Sequence, residues 1–206
     1  MLYAKELNCL LNSSICFLIN IDGLPTYKSS SYQLRPGLGI FKGSACEKPF
    51  TIGIYGGNKK PACIREFLND FISEIKVLEK EDILIENNFI QVTISNFVCD
   101  APARAFLKCI KMHLGYNSCQ RCIQKSELVD GKVILPEVSS PLSTDASFDE
   151  KHDHAHRHAV SPLKEPKIGM VSRFNLDYMH LVCVGVMWRT VTQDNQKTAK
   201  IRQNLT

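Results

Sequence analysis

The sequence predicts an α/β fold built on a mixed sheet, an antiparallel meander joined through a helical crossover to one parallel strand. Three observations lead there. Three β-rich runs (residues 14–21, 32–41 and 50–57) follow one another with loops short enough for antiparallel pairing. An amphipathic helical pattern comes next, opened by Pro61, and a fourth apolar run (residues 88–99) follows it. The chain has 206 residues, 44% hydrophobic and 22% charged, enough for one domain or one domain carrying an insertion.

Each element has a local cause. "SICFLINI" (14–21) is β-branched and aromatic-rich, and Asp22-Gly23 ends it as a turn. "YQLRPGLGIF" (32–41) reads as a strand weakened by Pro36 and two glycines. "FTIGIYGG" (50–57) is the third. Ile64, Phe67, Leu68, Phe71, Ile72, Ile75 and Leu78 recur at three and four residues, which places them on one face of a helix. "NFIQVTISNFVC" (88–99) is apolar enough to be central in the sheet, and it stops at Asp100. A second helix starts near Ala101 and is expected to bury Phe106, Leu107 and Ile110. "SELVDGKVILPE" reads as a hairpin turning at Asp130-Gly131. Positions 136–166 are rich in Ser, Pro, Asp and His, and no regular structure is expected there. A final helix is expected from Asn175, as its cap, to about Trp188. The stretch 191–206 has no hydrophobic period and reads as a polar, frayed tail.

Composition narrows the function classes. A net charge of +4 permits a polyanionic partner without requiring one. Nine cysteines at irregular spacing, several inside apolar patterns (Cys9, Cys16, Cys63, Cys109, Cys183), suit a reducing compartment better than a disulfide framework. The first 23 residues lack the positive leader and cleavage site of a signal peptide. No run reaches the ~20 apolar residues of a membrane span. The expectation is an intracellular protein, in the nucleus or cytoplasm.

The crossover carries the chemistry. With the fourth strand parallel to the first and beside it, Asp22 and Asp100 fall at neighbouring strand ends. Two carboxylates held together repel unless a cation sits between them, and Mg²⁺ or Mn²⁺ suits such oxygen donors. This is the layout of ribonuclease H-like nucleases and integrases, in which two metals ~3.5–4 Å apart activate the attacking oxygen and stabilise the leaving one. The plainer readings are a turn acid for Asp22 and a helix cap for Asp100. Cys119 and Cys122, in Cys-x-x-Cys spacing, make half of a tetrahedral Zn²⁺ site. Two of His152, His154, His156 and His158 would complete it, with His156 and His158 preferred and Cys109 and His113 as nearer competitors. Free surface thiols are the alternative. Asp177 and His180, three apart on one helical face, are either a helix-start acid with a core histidine or an insertion motif offering a metal or phosphate contact. Lys59, Lys60, Arg104, Lys108 and Lys111 are candidates for phosphate contacts, with ordinary solvated charges as the plainer reading for most of them.

"NIDGLPTYKSSS", "FVCDAPARAFLKCIKMHLGYNSCQRC" and "LDYMHLVCVGVM" together resemble the transposases of the CACTA (En/Spm) class and their animal relatives, over roughly residues 15 to 190. The resemblance implies a ribonuclease H-like core (residues 14–115), a zinc-bearing insertion with the Asp-x-x-His helix (116–190) and a tail (191–206). It implies DNA strand cleavage and transfer as the ancestral chemistry, with Asp22 and Asp100 as the first two acids of a DDE triad. Transposon-end DNA and other transposase copies are the partners it implies, and no membrane. The pattern departs at the third acid. The last Glu is Glu165, upstream of the Asp-x-x-His helix, and Asp194 is the only later acid. The expectation is therefore a C-terminally incomplete core, a truncated fragment or decayed copy in which two-metal chemistry is slow or absent. A non-catalytic, zinc-stabilised module that binds nucleic acid or protein is the rival expectation.

Overall fold

The computed structural model describes residues 14–27, 31–42, 48–85, 87–112, 116–137, 139–150, 156–188 and 191–192. The strands are β1 (Ser14–Ile21), β2 (Leu24–Pro25), β3 (Gln33–Lys42), β4 (Phe50–Gly57), β5 (Ile83–Ile85), β6 (Asn88–Cys99), β7 (Glu127–Val129), β8 (Lys132–Ile134) and β9 (Phe174–Leu176). The α-helices are α1 (Ile64–Leu78), α2 (Ala101–Lys108) and α3 (Asp145–Glu150). A 3-10 turn covers Pro162–Lys164 and a π-helix covers Met179–Met187. The chain divides into two compact units, with the boundary between Asn175 and Leu176.

The sheet is mixed. β3 runs antiparallel to both β1 and β4, and β1 runs parallel to β6. The helix α1 supplies the crossover that a parallel pair needs. β5 folds back on β6 as a hairpin arm, β2 adds to β3, and β9 pairs β6. The short strands β2 and β5 are too brief to leave a period in the sequence.

One irregularity sets the geometry of the centre. From Ser14↔Gln91 to Phe17↔Ile94 the pairing of β1 with β6 is regular; it then jumps to Leu18↔Asn96. Ser95 is thus an extra residue in β6, a bulge. Because side chains alternate along a strand, one extra residue exchanges the two faces. Ile90, Val92 and Ile94 are buried before it, and Phe97 and Cys99 after it. The freed backbone is satisfied by one residue: Arg173 donates from Nη1 to the Ser95 carbonyl at 3.1 Å, and its own carbonyl accepts from Phe97 N at 2.7 Å.

The core gathers around that segment. Leu68, Ile72 and Ile75 of α1 are buried with Ile19, Ile21, Ile94, Phe97 and Leu107. The Phe97 ring stacks on Phe174 (4.9 Å between centroids, 12° between planes) and meets Phe71 edge-on at 6.3 Å. α2 is held at both ends. Asp100 caps its start, and Cys109 ends it in the left-handed region at φ 54°. Leu107 is buried as expected, and Phe106 packs at the margin of the core. Ile110 is buried too, but lies past the helix in a bridge with Arg157. The hairpin β7–β8 turns at Asp130 (φ 49°) and Gly131 (φ 74°), the positive-φ pair that a two-residue turn of this kind requires.

Two expectations are corrected. Residues 136–166 are not without structure. Thr144 and Ser147 form a reciprocal cap in which each side-chain oxygen accepts the other's backbone N–H (3.1 and 2.8 Å), and this starts α3. Phe148 and Leu163 are buried in the main core, and Ser161 donates to the Leu107 carbonyl at 2.5 Å. A few anchors outweigh a polar composition. Asn175 is not a helix cap either, because Phe174 is buried and draws its neighbours into β9. The cap is Asp177, which accepts from Met179 N at 2.9 Å. At the chain end, Val191 and Thr192 are helical, and residues 193–206, most of the expected tail, lie outside the described residues.

Candidate metal and phosphate site

β1 and β6 end side by side. Ile19 pairs with Phe97, and three residues further along each strand stand Asp22 and Asp100. The bulge at Ser95 brings them level. Without it Asp22 would sit beside Cys99. Both acids line one cavity of about 170 Å³ together with Gly23, Gln33, Arg35 and Lys60, against an apolar wall that includes Phe67, Pro102 and Phe106.

Each carboxylate is half used. Asp22 Oδ1 accepts from Gly23 N at 2.7 Å, and Asp100 Oδ1 accepts from Ala103 N at 2.6 Å. Asp100 is therefore a helix cap, as the plainer reading has it. Among the described residues, Oδ2 of either acid takes no hydrogen bond, and neither acid joins an ion pair. Beneath them lies the fully buried Cys99. Burial pushes its thiol up to about 12, and the charges of Asp100 and Asp22 act in the same direction. A cavity lined by two carboxylates whose Oδ2 atoms take no hydrogen bond among the described residues fits a hard divalent cation.

Reading by residue type missed Arg35 and Gln33. Arg35 Nη2 donates to Gln33 Oε1 at 2.8 Å, and the guanidinium lies over Gly23, where a Cβ would come within 3.2 Å of Nη1. The signal was available in register: Ile21 pairs with Gly37, so the antiparallel β3 carries Arg35 back alongside Gly23.

Other candidates fall elsewhere. Glu165 is at the surface, where Lys76 and Arg65 (2.5 Å) hold its carboxyl below the usual range. Asp194 lies outside the described residues. Arg104 and Lys108, read from the sequence as candidate phosphate contacts or solvated charges, are instead buried. Arg104 donates to Gln120 Oε1 (2.6 Å) and to the carbonyls of Cys99 and Asn175, and Lys108 lies over the rings of Phe148 and Phe174. The α2 face that carries them turns inward. Lys59, Lys60 and Lys111 are exposed.

Cys119 and Cys122 approach to 2.9 Å between sulfurs, and Gln124 Nε2 donates to Cys122 Sγ at 2.9 Å. Burial, then the Cys122 hydrogen bond, raises the Cys119 thiol. His156 is buried, with Nδ1 2.6 Å from the carbonyl of Asn117, two residues before Cys119. The neighbouring His158 is exposed, and its backbone N–H donates to the carbonyl of the competitor Cys109. His113, His152 and His154 lie outside the described residues. Among the described residues no three His, Cys, Asp or Glu side chains form a metal-sized cluster.

Asp177 Oδ2 and His180 Nδ1 are 2.5 Å apart, within the second unit. Burial would raise the Asp177 carboxyl, but hydrogen bonds from His180 and Met179 N outweigh it and hold it low. Among the described residues no helix is long and apolar enough to cross a membrane. No family model, curated protein or solved structure matches the chain.

Proposed function

We propose that this chain carries the strand-end acid pair of a transposase-derived, ribonuclease H-like domain, with Asp22 and Asp100 as ligands for Mg²⁺ or Mn²⁺ and DNA as the substrate. One observation carries it: two acids distant in sequence stand level just past the ends of adjacent parallel strands and line one cavity, each with an oxygen that takes no hydrogen bond among the described residues. The meander and parallel crossover strand agree with such a core. A divalent ion held there would supply charge neutralisation at a phosphodiester and a more acidic bound water. The protein's own part is to hold the two residues level in backbone register, fix each carboxylate through its Oδ1 on Gly23 N or Ala103 N, and wall one side with apolar groups. With no third carboxylate in the cavity among the described residues, nicking by this chain alone is slow or absent. The nucleus and association with other transposase copies belong to the same proposal.

The test is Mn²⁺ binding followed by its EPR signal. Asn caps helices as well as Asp does, so Asp100→Asn keeps α2 while removing a ligand charge. Its Mn²⁺ affinity is expected to fall by more than about tenfold, the scale produced by losing even an outer-shell partner. Equal affinity in wild type and variant ends the proposal.

We extend the proposal to a structural Zn²⁺ on Cys119 and Cys122; His156 and His158, the further ligands expected from the sequence, do not cluster with them among the described residues. The Cys-x-x-Cys spacing supports the ion, and the sulfurs, 2.9 Å apart, would have to part to about 3.8 Å to share it tetrahedrally at ~2.3 Å from each. Purified protein should hold zinc that Cys119→Ser/Cys122→Ser lacks, read by elemental analysis. The same thiol pair also favours the second reading, a zinc-stabilised binding module without catalysis. Metal-dependent nicking of plasmid DNA that disappears in Asp100→Asn excludes that module.

A further inference from the structure

We propose that Arg35 and Lys60 form a seat for a DNA phosphodiester beside the acid pair, with Gln33 as the positioning residue and Gly23 as the opening that admits the guanidinium. The inference rests on the metal reading of Asp22 and Asp100 and adds the contact for the substrate.

The cavity holds two acids and two bases that do not neutralise one another. Among the described residues neither Arg35 nor Lys60 forms an ion pair, although both line the cavity with Asp22 and Asp100. Opposite charges that share a cavity without touching leave room for a bridging ligand of both characters. A cation on the acids and a phosphate oxygen between that cation and the bases satisfies all four. Arg35 is also preorganised. Its Nη2 is tied to Gln33, which fixes the plane of the fork and leaves other N–H groups for phosphate oxygens. The neighbouring Gly23 suits this placement, since a methyl group there would stand 3.2 Å from Nη1 and the guanidinium would have to give by a few tenths of an ångström. Lys60 is more exposed and acts as a point charge at the rim.

The experiment measures fluorescence anisotropy of a labelled short DNA duplex, with Mn²⁺ and with EDTA, across a salt series. Arg35→Gln is expected to weaken binding in Mn²⁺ by about tenfold and to reduce the salt slope by about one phosphate contact. Gly23→Ala should weaken binding through the same group, so adding it to Arg35→Gln should cost almost nothing further. Mn²⁺ affinity, which loss of a neighbouring positive charge does not lower, reports that the site is still formed in Arg35→Gln. Unchanged duplex affinity and slope in Arg35→Gln overturn the phosphate seat, even where Mn²⁺ binds. Failure of wild type to bind Mn²⁺ instead overturns the metal reading, whatever Arg35 does. Full additivity of Gly23→Ala and Arg35→Gln removes the assigned role of Gly23.

Discussion

Replacing Phe97 with alanine is expected to lower the stability of the first unit by roughly 3–5 kcal/mol, the range for deleting a large ring from a closed core. Phe97 is fully buried. Its ring stacks on Phe174 and meets Phe71, so its loss leaves a void bounded by α1, β6 and β9. Neighbours cannot collapse into that void easily, because Arg173 pins the backbone on either side of it. Domains of this kind hold only about 5–15 kcal/mol in total, so the variant should be partly unfolded at modest urea. Phe97→Leu keeps most of the volume and should lose clearly less. Urea midpoints for the two variants check the prediction. Equal and small losses would show that the ring stack is not a centre of stability.

Lys108→Met is expected to work in the opposite direction. Lys108 is 2% exposed, with Nζ 5.1 Å from the Phe148 ring and 5.7 Å from that of Phe174. Arg104, Arg121, Asp145 and Cys119 are the titratable and charged groups that act on it. Burial first, then the two guanidiniums, lower its pKa from 10.5 to about 7. In the folded chain the amine sheds its proton near pH 7, while the unfolded chain keeps it to about 10.5. The unfolded state therefore binds more protons over that interval, and stability rises with pH by at most about 1.4 kcal/mol per unit. Below pH 7 the full penalty stands. Above pH 9 the Cys99 thiol acts the other way, since its folded pKa is raised from 9.0 to about 12 and the unfolded chain ionises first. The clear window is pH 7 to 9. Methionine fills similar space without charge, and replacing buried ionic groups by apolar ones commonly gains about 1–4 kcal/mol. Denaturation midpoints should be higher in Lys108→Met at pH 7, and the upward slope to pH 9 should vanish. A wild-type profile as flat as that of the variant would contradict the argument.

Much of the sheet was legible because its strands are period-two or wholly apolar runs closed by turn residues. β1, β4 and β6 start and stop where composition changes, at Asp22-Gly23, after Gly57 and at Asp100. The meeting of Asp22 with Asp100 was legible for a different reason. A meander followed by a helical crossover leaves few places for the next strand. What stayed hidden depends on single residues acting at long range. Phe148 and Leu163 tie a polar stretch to the core, and no local period announces them. Arg104 and Lys108 look like surface charges until α2 is seen to turn them inward. Arg35 belongs to the site only through its register against β1. The His-rich segment is the reverse case, a strong local signal of which His156 and His158 fall within the described residues. His156 there meets a backbone carbonyl.

The extra residue at Ser95 makes the strand unequal in its tolerance of genetic change. Substitutions before it alter single contacts. Loss of Ser95 alone would leave a regular strand with both acids in register, whereas gain of one more residue between Ile94 and Phe97 would turn Phe97 and Cys99 outward and carry Asp100 out of step with Asp22. The interior and the acid pair would fail in the same event. In-frame insertions over this short interval should therefore unfold the chain, even where the surrounding residues tolerate substitution.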